Sequence, residues 1–182
     1  MSTKNDYFLK SLHVISWIIF IGVCIEAGGF IFNAILTFIL DPVGAWKFWK
    51  EVDLSELYHY NQTYFVTVTS LMIIVAVLRA VMFYIILKIF NDKKISLSQP
   101  FNETVKRFIV NIAWLALGIG LFSFWGAKYT EGIVTQGVNM PDLQHLRLGG
   151  ADVWLFMGVT LLVIARIFKK GIEIQNENDL TI

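Results

Sequence analysis

The stretch LHVISWIIFIGVCIEAGGFIFNAILTFIL, residues 12–40, decides the fold. It contains one acidic residue, Glu26, and no Lys or Arg. It is longer than the roughly 20 apolar residues with which a helix crosses a bilayer. It also exceeds the ~7 to 15 apolar residues of a signal-peptide core, and no small-residue cleavage site follows it. We therefore predict a retained transmembrane helix.

Three further apolar blocks follow, at residues 65–90, 108–125 and 153–168. Hydrophobic residues make up 56% of the chain and charged residues only 16%, a balance that is unusual for a soluble domain. The sequence thus predicts an all-α integral membrane four-helix bundle. We expect a single transmembrane domain over residues 1–182, with a short tail at 169–182.

Lys and Arg are concentrated in the leader, in the loop around residues 91–107 and in the tail, whereas the two other loops contain few. Positive charge favours the cytoplasmic side of a membrane. We therefore expect both termini in the cytoplasm and a multi-pass membrane protein.

Two ionisable side chains, Glu26 and Arg79, fall deep inside the first and second spans. At 1.5 Å per residue, each lies ~16 to 21 Å above the inner boundary, so the two can meet. A lone charge at the bilayer centre costs about 2.5 to 3.5 kcal/mol, and pairing offsets that cost. The pair is either a functional site, linked to proton or ion movement or to a charge switch, or an ion pair that orients the two helices.

Small and polar residues recur at helical spacing around Glu26 and in the later spans. Such stripes allow close helix approach and hydrogen bonding across the interface. The residues predicted to pack between helices are Gly22, Gly29, Asn33, Asn111, Gly118 and Gly158.

The connections have their own signals. Aromatic residues in 41–64 favour the membrane interface, with a short helix at 43–50. The glycine-rich segment 126–152 is expected to be largely irregular. Pro100 favours a helix that begins near it. The tail alternates like a strand at 172–175, which suits addition to a partner's sheet edge or docking in a groove. The alternative is a solvated, frayed terminus.

No enzyme motif is apparent, and the histidines have no metal-ligand spacing. Cys24 is the only cysteine. We predict no catalytic residue, metal or cofactor. The formal net charge of +1, with dispersed Lys and Arg, does not favour direct binding to nucleic acid.

Two stretches carry a family resemblance: PFNETVKRF at 100–108, leading into NIAW at 111–114, and IFKKGIEIQNENDLTI at 167–182. They resemble the domain of unknown function 2975 family, whose members are small bacterial membrane proteins often encoded beside a short helix-turn-helix regulator. The resemblance implies a membrane partner for a transcription factor. The implied partner-binding residues are Pro100, Phe101, Asn178, Asp179, Leu180, Thr181 and Ile182.

The leading hypothesis is a non-enzymatic membrane regulator that binds a small cytoplasmic helix-turn-helix protein. The alternative is a small transporter or channel component that uses Glu26 and Arg79. The sequence is compatible with a homo-oligomer. The expected surroundings of the four spans are the lipid bilayer.

Overall fold

A computed structural model describes residues 3–39, 48–50, 52–91 and 101–179. These residues form five helices: α1 (Thr3–Ile39), α2 (Ser55–Tyr60), α3 (Gln62–Asn91), α4 (Glu103–Val134) and α5 (Ala151–Asp179). The described residues include no β-strand, only an isolated bridge between Trp49 and Val52. The predicted all-α class is confirmed.

Four helices are long and apolar enough to cross a membrane, over Lys10–Ile39, Gln62–Phe90, Glu103–Val134 and Ala151–Glu177. The protein thus has the helices of a multi-pass membrane protein. The third and fourth extend well past the apolar blocks from which they were predicted. A helix satisfies its own backbone hydrogen bonds, so it need not end where its apolar side chains end.

The four long helices lie side by side in chain order: α1 packs on α3, α3 on α4 and α4 on α5. Only 17% and 11% of the most apolar windows of α1 and α5 are buried, against 28% and 33% for α3 and α4. The outer helices therefore turn much of their apolar surface outward, where a bilayer would cover it.

Neighbouring helices run antiparallel. His13 stacks on Phe90 near one end of the α1–α3 pair, and Phe38 contacts Phe65 near the other. Both ends of the described chain, the end of α3 and the start of α4 therefore share one end of the row, here called the terminal end. The α1–α3 and α4–α5 connections share the opposite one, here called the loop end.

Helix α4 begins at Glu103, later than the start expected near Pro100, which lies outside the described residues. Asn102 is its N-cap, with an extended backbone and a side chain that accepts a 2.9 Å hydrogen bond from the Val105 amide. Asn is among the best N-cap residues because its oxygen satisfies one of the free amides of the first turn.

The connections differ from the expectations at three places. Helix α5 continues to Asp179, so residues 172–175 are helical and not strand-like. Helix α4 extends through the first part of 126–152, as far as Val134. The α1–α3 connection has its helix at Ser55–Tyr60; of the helix expected at 43–50, residues 43–47 lie outside the described ranges and 48–50 are not helical.

Both connections at the loop end fold back onto the helices. Phe48, Leu54 and Leu57 are almost fully buried in the α1–α3 connection, as are Leu146 and Leu148 in the α4–α5 connection. Burying a side chain of this size contributes about 1.5 to 3 kcal/mol. The loop end is therefore an ordered cap.

Trp49 in this cap lies on α1 at Gly29, where an added Cβ would overlap its indole ring. Gly29→Ala should therefore destabilise the protein by about 1 to 3 kcal/mol through overpacking. Gly22→Ala is the matched control, since nothing lies within 4 Å of a Cβ there. Thermal unfolding in detergent should show a loss for Gly29→Ala only; equal shifts in the two variants would contradict the contact.

Candidate functional site: a charge cluster held by the loop end

The α4–α5 connection contains one tight helical turn at residues 142–148. The Leu148 amide donates to the Leu143 carbonyl at 3.0 Å, and the Arg147 amide to the Gln144 carbonyl at 3.1 Å. This pair of bonds is a Schellman ending, in which the residue before the last takes a left-handed backbone. Arg147 occupies that position with φ of 60°.

Glycine is the usual residue at such a position, because a Cβ in the left-handed region costs about 1 to 2 kcal/mol. Strain of this kind concentrates at functional sites. The Arg147 side chain therefore needs a compensating interaction.

The turn is also fixed at its start. The Gln144 amide donates a short hydrogen bond to the Asp142 carboxylate, and this bond lowers the pKa of Asp142 below its ordinary value. A depressed carboxyl pKa means that the bond is present when Asp142 is ionised and is lost as the pH falls through the lowered pKa. The turn is therefore preformed at neutral pH.

The compensating interaction is an ion pair with α1. Arg147 Nε donates to Glu26 Oε1 at 2.6 Å. The Glu26 side chain is only 15% exposed, whereas that of Arg147 is 47% exposed. The connection thus supplies a cation to a carboxylate that the helices largely enclose.

Arg79 of α3 reaches the same place. Its Nη2 donates to the backbone carbonyl of Arg147 at 3.0 Å, and its guanidinium carbon lies 5.6 Å from the ring centroid of Trp154 on α5. Its Nε is buried and has no hydrogen-bond partner. Glu26, Arg79, Arg147 and Trp154, here called the charge cluster, therefore join α1, α3, α5 and the α4–α5 connection.

Glu26 and Arg79 lie at matched depth. Along α1, Glu26 falls between Phe20, which contacts Tyr84, and Phe38, which contacts Phe65. Arg79 falls between the same two partners on α3. The direct partner of Glu26 is nevertheless Arg147, a residue of the α4–α5 connection that lies outside the predicted spans.

Arg147 lies between the two residues because it approaches from the loop end. Its side chain bonds to Glu26, and its carbonyl accepts a hydrogen bond from Arg79. No local signal in the sequence marks it. The strongest hint is indirect, since a spanning helix with one carboxylate requires a cation from somewhere.

The cluster contains two guanidinium groups and one carboxylate. Intramembrane charges are costly and are normally paired or hydrated. Irregular backbone at membrane depth is likewise tolerated only inside protein or beside water. The cluster can therefore bind an added anionic group. It can also let Glu26 change its partner from Arg147 to Arg79. No described group of three or more His, Cys, Asp or Glu is arranged to hold a metal.

The predicted packing residues lie in different surroundings. Gly29 lies against Trp49, Gly118 against Leu78 and Gly158 against Leu117. Gly22 is exposed, with open space around it. Asn33 donates to the Gly29 carbonyl within α1 at 2.9 Å. Asn111 is exposed and lines a groove between α3 and α4.

Of the predicted partner-binding residues, Phe101 is 39% exposed and its ring centroid lies 5.3 Å from that of Phe168. A Cβ at Gly171 would also meet this ring. Asn178 and Asp179 end α5. Pro100 and residues 180–182 lie outside the described ranges.

A comparison with protein families matches residues 49–182 to the family described as Protein of unknown function (DUF2975). The match covers α2 to α5, including Arg79, Arg147 and Trp154, whereas Glu26 lies before it. No curated protein and no solved structure matches the chain.

The ion pair predicts energetic coupling between Glu26 and Arg147. Glu26→Gln and Arg147→Gln each leave one charge without its partner and should lower the free energy of unfolding. The loss in the double variant should be about 1 to 3 kcal/mol smaller than the sum of the two single losses. Unfolding in detergent gives the cycle. Lys128→Gln, which changes a distant exposed lysine, is the control and should add independently to Glu26→Gln. Additivity of the Glu26 and Arg147 variants would contradict the pair.

Proposed function

The chain belongs to the DUF2975 family, and we propose that it is a non-enzymatic membrane regulator that binds a small cytoplasmic DNA-binding protein. In this proposal the protein lies in the bacterial cytoplasmic membrane with its terminal end in the cytoplasm. The charge cluster at the loop end sets the position of α5, and the C-terminal part of α5 presents the partner-binding surface.

One observation carries the proposal: α5 is a single unbroken helix from Ala151 to Asp179. Trp154 near its start lies on Arg79, and its last turns lie at the opposite end of the row. A continuous helix moves as a rigid element, so a change of contact at Trp154 is carried along its length. The same helix therefore touches the charge cluster and the proposed partner surface.

The proposed partner surface carries one exposed apolar side chain among charges. Beyond Lys169 and Lys170, Ile174 is 52% exposed. Glu173 is exposed beside it and faces Lys169 at 3.8 Å. An apolar residue among charges on an exposed helix suits a groove on a partner. This binding mode replaces the strand addition expected from the sequence.

The start of α4 supports α5 at this end. Phe101 covers Gly171 and contacts Phe168, so the residues that resemble the family motifs at 100–108 and 167–182 touch each other. A partner that binds α5 there also meets Phe101. The family resemblance supports a helix-turn-helix protein as that partner.

The test is co-purification with the small helix-turn-helix regulator that the proposal expects beside the gene. Ile174→Asp should lower its recovery at least about tenfold, because a carboxylate replaces an apolar contact and charge burial costs several kcal/mol. Asn176→Asp is the matched control, since it adds the same charge two residues away on the other side of α5. Recovery that is equal in wild type and Ile174→Asp, or absent in both, would contradict the proposal.

A further inference from the structure

A cleft of about 320 Å³ lies beside the charge cluster at the loop end. It is formed between the turn that follows Phe48 and the turn at 142–148. Its lining residues are Trp49, Lys50, Val52, Gln144, His145 and Arg147. The guanidinium that holds Glu26 is thus also part of an open cleft.

The described lining is cationic. Lys50 and Arg147 carry permanent charge at neutral pH, and no described lining residue is acidic. Lys50 is exposed and lies 6.0 Å from the ring centroid of Trp49. The half-buried Trp49 ring provides an apolar wall beside these charges, whereas Val52 is almost fully buried. Such a lining suits an anion with an apolar body.

Backbone strain marks the same two cations. Within the described residues, the non-glycine positions with positive φ are Lys50 at 51° and Arg147 at 60°. A left-handed backbone is unfavourable for a residue with a Cβ, yet both side chains line one cleft. Strained backbone recurs at ligand clamps, where it holds side chains in position before the ligand arrives.

Charge balance gives a third argument. The charge cluster contains the guanidinium groups of Arg79 and Arg147 but one carboxylate, that of Glu26, which pairs with Arg147. A guanidinium has five N–H donors, and Arg147 uses its Nε–H for Glu26. The donors on its two terminal nitrogens can bind a second anionic group in a bidentate manner.

We propose that this cleft binds a small organic anion through a phosphate or carboxylate group. Lys50 and Arg147 hold the acidic group, and the Trp49 ring contacts the apolar body. The anion and Glu26 share Arg147, so binding weakens the hold of Arg147 on Glu26. As a signal, the ligand rests on the proposed regulatory function; as a binding site, the cleft does not depend on it.

Titration of the purified full-length protein in neutral detergent tests the site directly. Phenyl phosphate is the probe, because it joins a phosphate to a ring that can lie on Trp49, and phenol is the uncharged control. Tryptophan fluorescence should saturate with phenyl phosphate and not with phenol. An equal response to both compounds would overturn the proposal.

Variants test the residues. Arg147→Gly permits the left-handed backbone but removes the guanidinium, so the Kd should rise at least about tenfold, the loss expected for a charge-assisted hydrogen bond. Lys50→Gly should weaken binding in the same direction. Glu26→Gln should instead tighten binding several-fold, because it removes the competitor for Arg147. Lys128→Gln should match wild type. A Kd unchanged in Arg147→Gly overturns the assignment, as does weaker binding in Glu26→Gln.

The phosphate group could come from a soluble metabolite or from a lipid headgroup. Nanodiscs of phosphatidylglycerol and of phosphatidylcholine separate the two sources. Weaker phenyl phosphate binding in phosphatidylglycerol identifies a lipid headgroup at the site, whereas equal binding identifies a soluble anion. These assays contain no partner protein, so their failure leaves the co-purification result intact, and failure of co-purification leaves the binding result intact.

Discussion

The carboxylate of Glu26, halfway along an apolar helix, is the constraint on which the loop end depends. An unpaired charge in hydrocarbon is costly, so a cation must reach it. The protein supplies Arg147 from a connection that folds back from the end of α4. That connection needs a tight turn, a left-handed residue and two buried leucines to reach its position. The architecture of the cap follows from the need to place one guanidinium on one carboxylate.

The same contact links parts of the chain that do not otherwise meet. In the row of helices, α1 and α5 lie at opposite edges, and their backbones do not pack together in the described chain. Arg147 connects them, because its side chain bonds to α1 while its carbonyl binds Arg79, which lies over Trp154 of α5. A ligand or proton that changes the partner of Arg147 therefore acts on both edges of the row. In the proposed function, this contact couples the charge cluster to α5.

The sequence was sufficient to predict the four long helices and the matched depth of Glu26 and Arg79. Long apolar blocks predict spans because lipid leaves the backbone few alternatives to a helix. Counting residues along two antiparallel spans placed Glu26 and Arg79 at one level. Arg147 was not predicted because it lies 121 residues from Glu26 in the sequence. Helical periodicity relates only residues that are close in the sequence. The tail was misjudged because the apolar alternation at 172–175 is short, and continuation of α5 outweighs it.

The pairing of Glu26 with Arg147 in a bilayer is the central claim, and a solid-state NMR dephasing measurement tests it most directly. Protein labelled with ¹⁵N in arginine side chains and ¹³C in glutamate carboxyls would be reconstituted in lipid. The account predicts close Arg–Glu dephasing, in line with the 2.6 Å bond, that disappears in Arg147→Gly and persists in Arg107→Gln. Dephasing that survives in Arg147→Gly and disappears in Arg79→Gln would contradict it, because Glu26 would then pair with Arg79.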